Sequence, residues 1–365
     1  MRFLANFAVY APVRHLRYFD RMKLPRISMV FLGVALCFGT GALTGCASES
    51  QDEPRQEDTE DDLTRAVPLG PEPAGQKAKY PIVLVHGFTG SRKLWNFVDV
   101  PAALTKDGHY VFAAEMHPFG TPDENAKVLA AQVDEVLRTT GATKVNLVAH
   151  SKGGVDARAY ISNFKAGDKV ASLTTIASPH RGTAIADTAL KLLPDNAYAD
   201  KALSAISTLW TRTFSEAELA EGNDLRAALG SMAEKNAEAF NRTHPDDARV
   251  HYQSWAGVSN VAGISNPKDE EGCAGKGYMN GTPRDRMDLK LIPAAWFVGH
   301  GTEMRPNDGL STVESAKWGE FLGCIPADHQ DDVGRNGKTG NDSRSGFNHV
   351  RFYRQVAFDL ARRGY

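Results

Sequence analysis

The chain has 365 residues, 42% apolar and 24% charged, with a formal net charge of -2. That is enough apolar chain for one large core of roughly 250–300 residues. The near-balanced charge offers nothing to a nucleic acid, and no internal repeat is visible.

The first 80 residues do not read as part of that core. Met22 to Cys46, MKLPRISMVFLGVALCFGTGALTGC, places Lys23 and Arg26 ahead of an apolar run, Met29 to Phe38, followed by small residues and a cysteine. This is the layout of a secretory signal peptide, and the run is too short for an ordinary spanning helix. Its start is served as well by Met22 as by Met1. The closing Leu43-Thr44-Gly45-Cys46 resembles the lipobox of bacterial lipoproteins. That resemblance implies removal of residues 1–45 and lipid on the Cys46 sulfur. Ala47, standing where an aspartate is associated with inner-membrane retention, implies the outer membrane where the host has one; the alternative is plain secretion.

Residues 46–79 then read as a tether. Glu49 to Asp62 carries eight acids and one base, and so polar a segment cannot bury enough surface to offset its ordering entropy. Pro68 to Pro73 is a stiffer spacer. Cys37 and Cys46 belong to the exported leader, which leaves Cys273 and Cys324 for the folded part and favours one disulfide between them.

From Tyr80 to Tyr365 short β-branched runs alternate with helical periodicity. Pro81 to Val85 is a continuous apolar run of strand length, as expected of a strand covered on both faces. Tyr110 to Glu115 is a weaker strand. Glu124 to Thr140 sets Leu129, Val133, Val136 and Leu137 on one helical face, and Gly141 ends it. Val145 to Ala149 and Val170 to Ala177 are further strands. The order strand, helix, strand, helix predicts an α/β fold with a mostly parallel sheet flanked by helices.

Ser151, in VNLVAHSKGGVDARAY, falls between a buried strand and a helix starting near Gly153, the context of a nucleophile elbow. Residues two before and two after such a serine must be small. Ala149 replaces the usual glycine and adds only a methyl; Gly153 is intact. The residue after the serine offers its backbone N–H, so the Lys152 side chain is expected to be free to vary. A second donor is expected from the turn after an earlier strand, where His86-Gly87-Phe88 places the Phe88 N–H; together Phe88 and Lys152 would form an oxyanion hole. The His86 side chain reads as a structural bridge between loops. A serine hydroxyl also needs a histidine base and a carboxylate to orient it, in the order serine, acid, histidine. Asp308, in the turn-rich RPNDGL, is the candidate acid. His329 and His349 are both candidate bases by position.

YPIVLVHGFTG, KVNLVAHSKGG, ASPHRGTAIADTAL, NAEAFN, YQSWAG, NDGL and HQDDVG, in this order over about Tyr80 to Tyr365, resemble the bacterial secreted true lipases, triacylglycerol hydrolases of the α/β-hydrolase fold. The resemblance implies Ser151 as nucleophile, Asp308 as acid and His329 as base, with Phe88 and Lys152 as the oxyanion donors. His349 is left as a cap or packing contact. It also implies the Cys273–Cys324 disulfide, and a structural calcium near the histidine loop held by Asp331 and, at the second family position, by Asn266, with Asp269 nearby. Calcium favours charged carboxylates, so the amide of Asn266 would weaken such a site.

Between about residues 183 and 245, Leu203, Ile206, Trp210 and Phe214, then Leu225, Ala228, Leu229, Met232 and Phe240, recur at helical spacing. The resemblance makes this insertion a lid or fixed cap over the site. The implied activity is serine-dependent hydrolysis of carboxylic esters, triacylglycerol or other acyl-ester lipids, through an acyl-enzyme, with no cofactor for the chemistry. Rival readings are a polyhydroxyalkanoate-type polyester depolymerase and a non-catalytic surface-binding lipoprotein. The implied partners are an ester substrate and a membrane, through the anchor; a dedicated folding helper stays open.

Overall fold

The computed structural model describes residues 71–97, 99–192, 225–278, 282–334, 342 and 345–365. The leader, Cys46, the acidic tether as far as residue 70, and the part of the insertion bearing Leu203, Ile206, Trp210 and Phe214 lie outside these residues.

Six strands form one parallel sheet. Among the helices the strands alternate with are α1 (Val100–Lys106), α2 (Pro122–Thr140), α3 (Lys152–Asn163) and α8 (His349–Arg362). The strands are β1 (Ile82–Val85), β2 (Val111–Ala113), β3 (Val145–His150), β4 (Val170–Ile176), β5 (His251–Gly257) and β6 (Glu320–Ile325), in the spatial order β2-β1-β3-β4-β5-β6. The period-two alternation of β1 sends Ile82 and Leu84 to one face, with Trp95, Val100, Leu104, Phe352 and Val356. Val83 and Val85 go to the other face, with Leu129, Val133, Val136, Ala157 and Tyr160. Both faces are therefore covered by helices, which is why β1 reads as an unbroken apolar run. Burying each such aliphatic side chain contributes about 1.5–3 kcal/mol.

Helix α2 begins at Pro122, two residues before the expected start at Glu124. Thr121 accepts from the Glu124 N–H while the Glu124 carboxylate accepts from the Thr121 N–H, and Pro122 occupies the first turn. Gly141, at φ 68, closes it. Strands β5 and β6 lacked an apolar signature because each carries polar or exposed positions, among them Gln253, Ser254 and Glu320. Sheet pairing, with no local pattern to announce it, defines them.

The described parts of the insertion are α4 (Ala184–Leu192), α5 (Leu225–Met232) and α6 (Glu234–Thr243). They pack on the domain through Phe119, Ala186, Leu225, Leu229 and Met232, against which Phe88 also rests. Between them and the acid loop, α7 (Ile292–Val298) contributes Ala294 and Ala295 to a smaller cluster with Met287, Leu291 and Leu310.

The end of the expected tether differs from a free coil. Arg354 holds both Glu72 and Asp107 at 2.6 Å, the Ala78 N–H donates to His109 Nδ1, and the Lys79 N–H donates to the Tyr365 carbonyl. Residues 71–79 are thus strapped along α8 and the β2 edge, because α8 presents Arg351 and Arg354 there to Glu72.

Candidate active site

The strand order reverses direction between β1 and β3: the chain goes from β1 outward to β2, then returns to β3 on the other side. Loops leaving the carboxyl ends of β1 and β3 therefore diverge and leave a crevice, the position where open α/β sheets place their ligands. Ser151 and the Gly87-Phe88 turn both stand at that crevice.

Ser151 has φ 57 and ψ -136, an unfavourable backbone conformation for a residue with a side chain. It is held there by its N–H donating to the Ile176 carbonyl and by the start of α3 immediately after it. The turn tolerates nothing larger than hydrogen at two neighbours. A Cβ on Gly153 would lie 2.5 Å from the His86 carbonyl oxygen, and one on Gly87 would lie 2.6 Å from Ser151 Cβ. Ala149 is fully buried inside β3, where its methyl packs with Val83, Val85 and Leu147, so it does not disturb the elbow.

His329 follows β6 and Asp308 lies on the loop that crosses from β5. His329 Nε2 is 2.9 Å from Ser151 Oγ across 178 residues of chain, and His329 Nδ1 is 2.8 Å from Asp308 Oδ2. The other oxygen of Asp308 accepts the N–H groups of Leu310 and Ser311 at 2.9 and 2.7 Å. The His329 N–H donates to the Asp308 carbonyl, tying the two loops by backbone as well. Asp308 is inaccessible to solvent and His329 nearly so. His349, the other candidate, opens α8 and packs against Gly334 at the end of the histidine loop.

The Phe88 and Lys152 backbones flank Ser151 from β1 and α3. Lys152 is the first residue of α3, where N–H groups have no intrahelical acceptor. Its side chain departs from expectation. Lys152 is 1% exposed, and its Nζ donates to Asp156 Oδ1 at 2.6 Å, so it is not free to vary. The signal was present in the sequence as an i,i+4 pair on the elbow helix. The His86 ring joins loops: its Nε2 accepts the Met116 N–H, and its Nδ1 lies 2.9 Å from the Gly87 carbonyl.

Cys273 and Cys324 are joined in a disulfide, which fastens the segment before the acid loop to β6, the strand that delivers His329. Asn266 is not brought into an acidic site. Its amide donates to the Met304 carbonyl and accepts from the Lys268 N–H, bracing a surface turn. Asp269 is also elsewhere, buried against Arg284, and burial raises its pKa to about 6. The carboxylates that converge with Asp331 are Asp285 and Asp328, their oxygens within 4.8 Å of one another. Asp285 reaches this place because its segment runs beside Asn260, whose N–H donates to the Asp285 carbonyl. Asp328 Oδ1 is occupied by the Gln330 and Asp331 N–H groups. Asp285 Oδ1, by contrast, is buried with no hydrogen-bond partner. Burial, then the neighbouring carboxylates, push Asp285 well above the usual carboxylate range and Asp328 to about 7. An all-oxygen acidic cluster with an unsatisfied buried oxygen fits a hard divalent cation. Next to it the pKa of Asp332, wholly buried 4.0 Å from His150 Nε2, is also raised, by burial first and then by Asp308.

The sequence pattern of the alpha/beta hydrolase fold matches residues 80–285. A triacylglycerol lipase of Vibrio cholerae is 28% identical over 307 residues, covering 79% of this chain and 89% of that protein. One of Pseudarthrobacter phenanthrenivorans is 34% identical over 176 residues, 46% of this chain and 54% of that protein. The crystal structure of Staphylococcus hyicus lipase superposes with a TM-score of 0.55 at 19% identity, covering 80% of this chain and 97% of that one. The chain belongs to the α/β-hydrolase family. Its similarity to lipases along most of its length makes it, within that family, a carboxylic ester hydrolase.

Proposed function

We propose that the chain hydrolyses acyl-ester lipids, triacylglycerol first among them, through an acyl-enzyme on Ser151. The observation that carries this reading is the continuous hydrogen-bonded chain from Ser151 through His329 to Asp308 at the crevice of the sheet. His329 Nε2 takes the Ser151 proton as Oγ attacks the ester carbonyl carbon. The Phe88 and Lys152 N–H groups stabilise the oxyanion of the tetrahedral intermediate. As the intermediate collapses, the alcohol leaves with the proton from His329. Water, deprotonated by His329, then attacks the acyl carbon, and fatty acid departs. Asp308 keeps Nδ1 of His329 protonated and stabilises its transient positive charge.

Calcium at the cluster of Asp285 and Asp331, beside Asp328, belongs to the same proposal. It would neutralise acids that repel one another and brace the loop that carries His329, with no part in the chemical step. Export and lipid attachment at Cys46 are further parts of it, supported by the layout of Met22 to Cys46.

The test is fatty acid release from emulsified triglyceride. Ser151→Ala should abolish it and leave the thermal midpoint near that of the wild type; undiminished release would refute the nucleophile. Faster action on a polyhydroxyalkanoate film than on triglyceride would move the substrate to polyesters. Added calcium should raise the Tm of the wild type and leave Asp285→Asn unmoved.

A further inference from the structure

The residue after the nucleophile carries an ion pair that stability alone does not explain. Lys152 and Asp156 are both about 1% exposed. Burial raises the Asp156 pKa, against the pull of Lys152 and Asn125. Taking such a pair out of water costs as much as its attraction returns, so a buried ion pair at this place calls for another reason.

The reason lies in what the pair is tied to. Asp156 Oδ2 accepts from Asn125 Nδ2 at 2.8 Å, and Asn125 is itself buried in the first turn of α2. Asn125 also grips the loop before α2: its Oδ1 accepts the His117 N–H at 2.9 Å and its Nδ2 donates to the His117 carbonyl at 3.2 Å. A Cβ on Gly120 would stand 2.9 Å from Asn125 Oδ1, so the loop is wrapped closely about this amide. The same loop, His117 to Gly120, holds the other side of the crevice. The Pro118 carbonyl accepts the Thr89 N–H at 3.0 Å, and the Phe119 ring meets the Phe88 ring edge-on at 5.3 Å. One four-residue loop is thus bound to Phe88-Thr89 directly and to Lys152 through Asn125 and Asp156.

We infer that Asp156 and Asn125 are positioning residues of the oxyanion hole, which fix the Lys152 N–H and the Phe88 N–H relative to each other through the 117–120 loop. The inference rests on the assignment of those two N–H groups above. Misplacing a donor by a fraction of an ångström weakens stabilisation of the transition state and leaves the ester's ground-state binding in place.

The experiment compares wild type, Asn125→Ala and the double variant Lys152→Met with Asp156→Leu. The double variant removes both charges together, so no uncompensated charge stays buried and the fold is retained. The readouts are kcat and KM on a soluble p-nitrophenyl ester, Tm, and affinity for a trifluoromethyl ketone that forms a tetrahedral adduct. The double variant is expected to keep its Tm and KM but lose about 10- to 100-fold in kcat and a similar factor in ketone affinity. Asn125→Ala leaves Asp156 Oδ2 and the His117 backbone groups without this partner, so its Tm should fall; assayed well below that midpoint, it should show the same loss of kcat and ketone affinity at unchanged KM with the Lys152–Asp156 pair intact. Wild-type kcat and ketone affinity in the double variant overturn the inference; with Ser151→Ala inactive in the same assay, the hydrolase reading then stands without it. A loss of kcat that follows Tm and is recovered on cooling assigns the network to stability and overturns it too. If wild type itself turns over no ester, the underlying assignment falls first.

Discussion

The two halves of the candidate active site are built on different principles. The elbow half, comprising Phe88, Ser151 and Lys152, sits on adjacent parallel strands, and its geometry comes from backbone that nearly touches: Gly153 against the His86 carbonyl, Gly87 against Ser151. The acid half, comprising Asp308 and His329, rides on loops after β5 and β6 and is gathered by longer ties. These are the Cys273–Cys324 disulfide, the Asp308 carbonyl to His329 N–H bond, and the Asp328 N–H bond to the Asp285 carboxylate. Contact sterics fix the Ser151 turn itself, and the 117–120 loop network then sets the Phe88 and Lys152 N–H groups against it. The second half depends on covalent and polar fastenings, so conditions that undo those should disable it first.

The largest expected effect breaks the acid half at its centre. His329→Ala should lower kcat by about four to six orders of magnitude, as removal of a triad member does, while His349→Ala keeps most activity because His349 opens α8 beside Gly334, outside the hydrogen-bonded chain from Ser151 through His329 to Asp308. Steady-state rates on one ester decide; the reverse ranking would transfer the base to His349. Reduction of Cys273–Cys324 is the next test. It opens a loop with a sequence separation of 51 and should lower stability by about 2–4 kcal/mol, seen as a drop in denaturation midpoint. Proteolysis after reduction should begin in the segments between Cys273 and His329 and spare β1 and β3; early cleavage near Ser151 would contradict the division into halves.

How much of each half was legible in the sequence follows from the same division. The elbow could be read because its demands are local: small residues at fixed offsets from Ser151, an apolar strand before it and a helix after it. Strands β1 and β3 and helix α2 were visible for similar reasons, with the start of α2 displaced only by the Thr121 capping box. In the acid half the chain order singled out Asp308 but left His329 and His349 equal, and only the family resemblance separated them. Asp285 was missed and Asn266 named in its place, because nothing local marks which acid in a long loop will reach Asp331. The Lys152 side chain was misjudged within the legible half: an elbow rule speaks of the backbone and is silent about Asp156 and Asn125.

Within the elbow half, Gly153→Ala offers a sharper test of contact sterics. The added methyl would meet carbonyl oxygens of His86 and Val85 at 2.5 and 2.8 Å, backbone atoms of a central strand that cannot step aside cheaply. The expected loss is about 1–3 kcal/mol in stability, with a fall in kcat as the elbow shifts. An unchanged Tm would mean the strands have more slack than this geometry allows.

The smallest expected effect concerns the seam between the halves, where His180 lies fully buried. Its N–H donates to the Ser315 carbonyl near the acid loop, its ring nitrogen Nε2 is 3.0 Å from Thr175 Oγ1, and its carbonyl accepts from Asn241 on α6. Burial first, then Arg158 and Arg181, hold its pKa well below 6.5. The folded protein therefore keeps this ring neutral while the unfolded chain protonates it below 6.5. Stability from the neutral ring is fully present above that pH and declines as pH falls through it, because the unfolded state then binds the extra proton. Relative to a His180→Gln variant, wild type should lose up to about 1.4 kcal/mol for each pH unit below 6.5. Denaturation midpoints of the two proteins, measured in parallel across that range, isolate this one group from the buried carboxylates, whose raised pKa values act in the opposite direction in both. Parallel curves would show that His180 accepts its proton inside the fold, and that the seam admits water.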